Sequence, residues 1–171
     1  MLEAIKKRRS IRKFKKKEVE TEKLEEILKA AMYSPSAMNR RPWEFIVIKN
    51  QEMKNKLSKA TSWCSFVKDA PLVLVIASYE EDLYRWIEDC SIVTEAIYLE
   101  ATNQGLGTCF CQVLGGKTVS LKDSEEYVKE LLGTTKNVRI LCLMPIGYPD
   151  EHKEEHSEEE FEKRKIHYEK Y

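Results

Sequence analysis

Apolar positions along the chain change their period several times, and each change predicts an element. Leu24, Ile27, Leu28 and Ala31 recur at helical spacing, which predicts a helix capped by Thr21 and ended before Pro35. Leu2 and Ile5 predict a short helix ahead of it, and Ser34 to Asn39 reads as a loop. Trp43 to Ile48 reads as a strand, and Met53, Leu57 and Ala60 mark a further helix. The unbroken apolar run Leu72 to Ala77 predicts a strand buried on both faces. Residues 87–104 form the longest helical stretch, with Gly105 at its C′ position. Its apolar residues Ile92, Val93, Ala96, Ile97, Leu99 and Ala101 occupy more than one stripe, so burial on more than one side is expected.

Further on, Thr108 to Val113 reads as a strand and Leu114 to Gly116 as a turn. Asp123 to Leu132 reads as a helix ending at Gly133, and Val138 to Ile146 as the last strand, closing at Gly147. Ser157 and Glu160 have capping-box spacing for a short helix in the tail. Helices separate the strands throughout, so a sheet covered on both faces is expected.

Length and composition narrow the class. A chain of 171 residues, 42% hydrophobic and 34% charged, suits one soluble domain over 1–171, and no repeat or linker interrupts it. The longest uncharged apolar run, Ala70 to Ala77, is far short of the roughly 20 residues a bilayer span needs. Met1 to Ile5 has no apolar signal region, and a cytoplasmic location with no membrane partner is expected. Five cysteines, an odd number, argue against a disulfide framework. Cys109 and Cys111 share one face of a strand and read as core thiols. His152 and His156 lie four apart, but in a Glu-rich tail without a third ligand, so no metal site is assigned.

The formal net charge is zero, yet it hides an asymmetry. From Lys6 to Lys17, nine of twelve residues are Lys or Arg, while Asp150 to Tyr171 holds nine acidic residues against five basic ones. Dense like charge repels itself and needs water or an anion. Arg8, Arg9 and Arg12 with the Ser10 hydroxyl among them make a phosphate clamp, because guanidinium groups grip phosphate oxygens in pairs. Taken alone, the same segment also reads as a solvated basic tail, and as an arm that contacts nucleic acid. Against the nucleic-acid reading stand the neutral net charge and the lack of a base-reading motif.

Four motifs in order then change the weighing: Arg8-Arg-Ser-Ile-Arg-Lys-Phe14, Ser34-Pro-Ser-Ala-Met-Asn-Arg-Arg-Pro-Trp-Glu-Phe45, Gly105-Leu-Gly-Thr-Cys109 and Ile146-Gly-Tyr-Pro149. Together they resemble the nitroreductase family of flavin enzymes in its short-chain form, over nearly the whole chain. The resemblance implies the α+β class, a three-layer α/β/α fold with a mixed, mainly antiparallel sheet, and a homodimer with FMN at the interface. It implies that Arg8, Arg9 and Ser10 hold the FMN phosphate and ribityl chain. Arg12 would stand at the N1/C2=O edge of the ring, where a fixed cation stabilises the charge that reduction adds. Pro35, Ser36, Ala37, Met38 and Asn39 would reach the flavin of the other subunit, and Phe110, Cys111 and Gln112 would run past the ring. In the extension 150–171, Lys163-Arg164-Lys165 would return a basic cluster to the phosphate, with Arg164 the contact residue.

The implied activity is an FMN-dependent oxidoreductase that takes hydride from NAD(P)H. It would reduce an electron-poor acceptor (a nitroaromatic, a quinone or a flavin) by a ping-pong mechanism. The cofactor carries that chemistry, so no catalytic side chain is assigned. Alternatives are reductive dehalogenation or flavin processing on the same scaffold, or a non-enzymatic flavin or nucleic-acid binder. Arg41 stands where the family often has Gln, and Phe110 where Trp is common. No lid-like insertion separates Ala77 from the helix at Ile87, which predicts an open substrate site. Whether loop 79–86, with Tyr84, Arg85 and Trp86, contributes to that site is left open. So is the preference between NADH and NADPH. Trp43 and Phe45 read as core, and Asp89 and Glu95 as structural.

Overall fold

The structure, a computed structural model, describes residues 1–79, 84–134 and 137–171. The elements in chain order are α1 (Glu3–Lys7), α2 (Thr21–Met32), β1 (Trp43–Ile48), α3 (Gln51–Leu57), β2 (Leu72–Tyr79), α4 (Trp86–Asn103), β3 (Gly107–Thr108), β4 (Cys111–Gln112), α5 (Ser124–Leu132) and β5 (Val138–Gly147). Residues 80–83, half of the loop 79–86 whose role the sequence leaves open, lie outside the described residues.

The strands form one sheet in the order β1-β2-β5-β3, with β4 also paired to β5. Every ladder between named strands is antiparallel. The parallel component is a single bridge between Ser10 of the N-terminal arm and Thr108. β2 is buried from Leu72 to Ser78, as its apolar run predicts, because helices lie on both faces of the sheet; only its end, Tyr79, is exposed. On one face Leu72, Leu74 and Ile76 pack with Ile27 and Ala31 of α2 and with Cys90, Val93, Ile97 and Ala101 of α4. On the other, Val73, Val75 and Ala77 pack with Leu57 of α3, Val128 of α5 and the thiol-bearing Cys64, Cys109 and Cys111. Each fully buried aliphatic side chain contributes about 1.5–3 kcal/mol, so these two cores hold the layers together.

Element ends follow local chemistry. α4 closes in a Schellman motif: Leu106 N–H donates to Ala101 C=O at 2.8 Å and Gly105 N–H to Thr102 C=O at 3.0 Å, and Gly105 takes φ +72°. Asp123 caps α5 by accepting from Glu125 and Glu126 N–H at 3.0 and 3.2 Å. Thr21 is the first residue of α2 rather than its cap; Glu20 holds the cap position without a side-chain cap bond. The Glu20 carboxylate instead accepts from the Tyr148 hydroxyl at 2.7 Å. Ser157 and Glu160 do form a capping box, around a 3₁₀ turn.

The strand expected over 108–113 is broken. Gly107 and Thr108 pair with Gly147 and Ile146, and Cys111 and Gln112 with Leu143 and Cys142, leaving Cys109 and Phe110 between them. Pro145 stands opposite the gap and has no N–H to give to a ladder.

The basic arm is anchored rather than solvated. Ile11 and Phe14 are both 7% exposed. Two glycines make room for them. A Cβ at Gly107 would come within 2.5 Å of Ile11 Cγ1, and one at Gly147 within 3.1 Å of Phe14 and 2.4 Å of Pro71. Two of the glycine-bearing motifs and the arm motif are therefore one packing unit.

Candidate functional site

Freed from the ladder, the Phe110 N–H donates to the Tyr98 hydroxyl at 2.6 Å. The same hydroxyl lies 3.2 Å from Ser10 Oγ. Tyr98 is 7% exposed, and burial pushes its phenol above the ordinary value although Ser10 and Phe110 pull the other way. Arg8 completes the cluster. Its guanidinium lies 5.1 Å from the Tyr98 ring centroid and 3.7 Å from Glu95 of α4. Thus the arm, α4 and the strand gap meet at one phenol, and Arg8 retains a half-exposed face beside it. The Thr108 hydroxyl, bridged to Ser10 through the backbone, is buried without a hydrogen-bond partner.

The arm's other arginines diverge. Arg9 donates to the Glu154 carbonyl at 2.6 Å. Tail and arm run side by side here: His156 N–H donates to the Lys6 carbonyl, His156 Nε2 lies 2.9 Å from the Arg8 carbonyl, and Glu151 accepts from Arg12 N–H at 2.5 Å. His156 is thereby engaged with the arm, which its place in a Glu-rich tail did not suggest. The Arg12 guanidinium lies 5.9 Å from the Phe66 ring centroid. With a hydrogen bond from Cys111 as the larger cause, Arg12 helps hold the Cys109 thiol well below its ordinary value, at about 6. Cys111, buried among Cys109 and Cys64, is pushed up. Gln112 is exposed and donates to the Leu114 carbonyl at 3.0 Å. Arg164 pairs with Glu162 on its own turn with a side chain 79% exposed; within one chain it does not join the Arg8 cluster.

The segment Pro35 to Asn39 sits elsewhere. Ala37 N–H donates to Asp89 Oδ1 at 3.0 Å, and Asp89 lies nine residues before Tyr98 on α4, about 13 Å along the helix. Met38, Asn39 and Arg41 all hold left-handed backbone, φ 53°, 56° and 51°, at a cost of roughly 1–3 kcal/mol each. Ser36 Oγ accepts from Arg41 N–H at 2.8 Å and Asn39 Oδ1 from Arg41 Nε at 3.1 Å. Arg41 therefore ties the loop to itself. Met38 projects with 69% exposure, so in a single chain this loop touches neither Ser10 nor Phe110.

The nitroreductase family model matches residues 5–148, from the arm to Tyr148. The chain belongs to the nitroreductase family. An FMN-dependent nitroreductase from Clostridium difficile R20291 superposes with a TM-score of 0.96 at 39% identity, covering all of both chains. A Methanothermobacter thermautotrophicus protein, provisionally named an NADH dehydrogenase/NAD(P)H nitroreductase, is 40% identical over 154 residues, 88% of this chain and 78% of its own. An iodotyrosine deiodinase from Thermotoga neapolitana is 26% identical over 178 residues, 90% of each chain.

Tyr98 and Asp89, with Glu95 and Thr108 beside Arg8 and Ser10, are residues that sequence reasoning did not place at the site. The signal for Tyr98 and Asp89 is a buried hydroxyl and a buried carboxylate on the helix that separates the two site segments. No helix among the described residues is long and apolar enough to cross a membrane.

Proposed function

We propose that this chain is an FMN-dependent oxidoreductase that takes hydride from NAD(P)H and passes the electrons to a small electron-poor acceptor such as a nitroaromatic or quinone. The observation that carries the reading is the joining of Ser10, Arg8 and Phe110 through Tyr98, since it assembles the family's phosphate clamp beside the strand gap. The donor set fits FMN: a guanidinium with one loose carboxylate partner, a serine hydroxyl and the unpartnered Thr108 hydroxyl. Bound FMN would supply the hydride-accepting chemistry that no side chain here provides. Arg8 and Ser10 grip the phosphate end. Arg12, whose charge reaches Cys109, faces the pyrimidine edge of the ring and offsets the charge gained on reduction. Phe110, Cys111 and Gln112 flank the ring, with Phe110 held in place by Tyr98.

The site is completed by a second copy of the chain. Pro35–Asn39 stands about 13 Å along α4 from its own Tyr98, and Ile87, Ile92, Ile5 and Phe161 are between 41% and 59% exposed. A two-fold dimer buries such positions and carries the loop to the partner's flavin, while Arg9 stays with Arg8 and Ser10 on the arm and Arg164 of the tail returns to the phosphate. Five free, buried cysteines fit a reducing cytoplasm. Only residues 80–85 separate β2 from α4, a connection too short for a substrate lid, which favours open acceptors over the enclosed substrate of a dehalogenase.

Purified protein should be yellow with a flavin absorption band. Under nitrogen, NADH or NADPH should bleach that band and a quinone or nitroaromatic should restore it. A colourless protein that binds no added FMN overturns the reading, and a flavin-loaded monomer in light scattering overturns the dimer.

A further inference from the structure

From Arg12 onward the arm turns a second set of cations toward a groove of about 790 Å³. Its walls are the arm from Arg12 to Glu18, the β1–α3 junction at Lys49, Gln51 and Lys54, and the turn from Lys68 to Pro71. Cations on these walls outnumber carboxylates by eight to three in a chain whose net charge is zero. Of the groove lysines, Lys17 pairs with Glu20, but Lys13, Lys15, Lys16, Lys49 and Lys68 have no carboxylate within 4.0 Å among the described residues, although ion pairs are common elsewhere on this surface. Five unpaired ammonium groups around one concavity raise its potential far more than the same charges spread out would.

Lys54 shows that this charge is built in rather than incidental. It is 5% exposed, and its Nζ donates to the Ala70 and Pro71 carbonyls at 2.6 and 3.2 Å. Burial pushes its amine down, partly countered by Asp69, and no carboxylate bonds it. Holding a cation in that place costs desolvation that a neutral side chain would not incur.

We propose that this groove binds a chain of linked phosphates, either the di- or triphosphate of a nucleotide or inorganic polyphosphate. Charges strung along a groove match an elongated anion better than a compact one. Phe14, the aromatic residue on the walls, is 7% exposed and offers no platform on which a base could stack. The phosphates, rather than a base, are therefore what the groove reads. None of the five lysines belongs to the proposed flavin site, so this inference stands independently of that reading.

The test is calorimetric titration of the protein as purified with sodium tripolyphosphate, ADP, adenosine and a single-stranded DNA oligonucleotide. Tripolyphosphate should bind, and its affinity should fall roughly tenfold or more between about 50 and about 200 mM salt. The variant Lys15→Gln/Lys49→Gln/Lys68→Gln should lose at least a further tenfold while keeping its melting temperature and flavin content. Binding of ADP but not adenosine makes a nucleotide the source; binding of tripolyphosphate without ADP makes it inorganic polyphosphate. No heat with millimolar tripolyphosphate overturns the proposal. So does an unchanged affinity in the folded variant, or tighter binding of the oligonucleotide than of tripolyphosphate.

Discussion

The Tyr98 hydroxyl accepts a 2.6 Å hydrogen bond from the Phe110 N–H, a donor that the β5 ladder does not use. This one contact links the interior of α4 to the broken edge strand, and Ser10 joins it from the arm. The register sets Pro145 opposite Cys109, where an imino acid has no N–H to give to the ladder.

Tyr98→Phe tests that linkage. It leaves the Phe110 N–H and Ser10 Oγ without their partner at little cost in volume, so the folded state should lose about 1–3 kcal/mol. Thermal unfolding reads the loss, and FMN release should quicken in parallel. An unchanged melt with unchanged FMN affinity would mean that water replaces the hydroxyl and that Tyr98 organises nothing.

Gly107→Ala probes the packing of the arm. The new methyl would stand 2.5 Å from Ile11 Cγ1 and 2.7 Å from its Cβ. Ile11 cannot swing aside easily, because it is β-branched and its N–H is bonded to the Thr108 carbonyl at 2.9 Å. Overpacking of this kind costs about 1–3 kcal/mol. The melting temperature should fall, and trypsin should cut the Lys-rich arm faster than in the parent.

Arg8→Ala removes the charge-assisted phosphate contact proposed for FMN. Such a contact contributes on the order of 1.5–3 kcal/mol, so FMN should bind roughly tenfold to a hundredfold more weakly. Riboflavin lacks the phosphate and should be nearly indifferent to the change. Equal losses for both ligands in fluorescence titrations would assign Arg8, stacked as it is on Tyr98, to folding.

The layers were legible because burial leaves a period: β1, β2, β5, α2, α4 and α5 fall within a residue or two of the positions read from apolar spacing. The break at Cys109–Phe110 was not, since it lies opposite a proline more than thirty residues later whose strand partner no local pattern reveals. Arg8 and Ser10 both meet Tyr98, which no sequence spacing announces, whereas the Arg9 guanidinium bonds the tail. That outcome depends on where Glu154 lands. The left-handed Met38, Asn39 and Arg41 carry no glycine to announce them. Tyr98 looked like any helix residue until its hydroxyl had two neighbours.

Acid should unfold the protein partly through Glu125. Burial pushes its carboxyl up, but the Arg139 guanidinium at 2.7 Å, the Ile140 N–H at 2.9 Å and Lys129 outweigh that and hold it below the ordinary glutamate value. With a folded pKa below the unfolded one, its contribution is complete above about pH 4.3 and is lost as pH falls through the folded value. Glu125→Gln should therefore cost about 1.5–3 kcal/mol at neutral pH. The gap between variant and parent should close on acidification. A gap that stays constant from neutral pH to strong acid would show that the effect is packing rather than charge.

Arg12 should tune potential more than affinity. Its guanidinium rests on Phe66 and reaches Cys109 electrostatically, and its proposed place is the ring edge that gains charge on reduction. Arg12→Gln keeps a donor and removes the cation. A unit charge near 4 Å is worth about 1–4 kcal/mol at effective dielectrics between those of bulk water and a protein surface. For two electrons that is about 20–90 mV, so the bound flavin should become harder to reduce by that amount. Affinity for oxidised FMN, whose ring is neutral, should change little. Potentials measured against reference dyes decide the matter: an unshifted value with FMN still bound would give Arg12 to the basic groove alone.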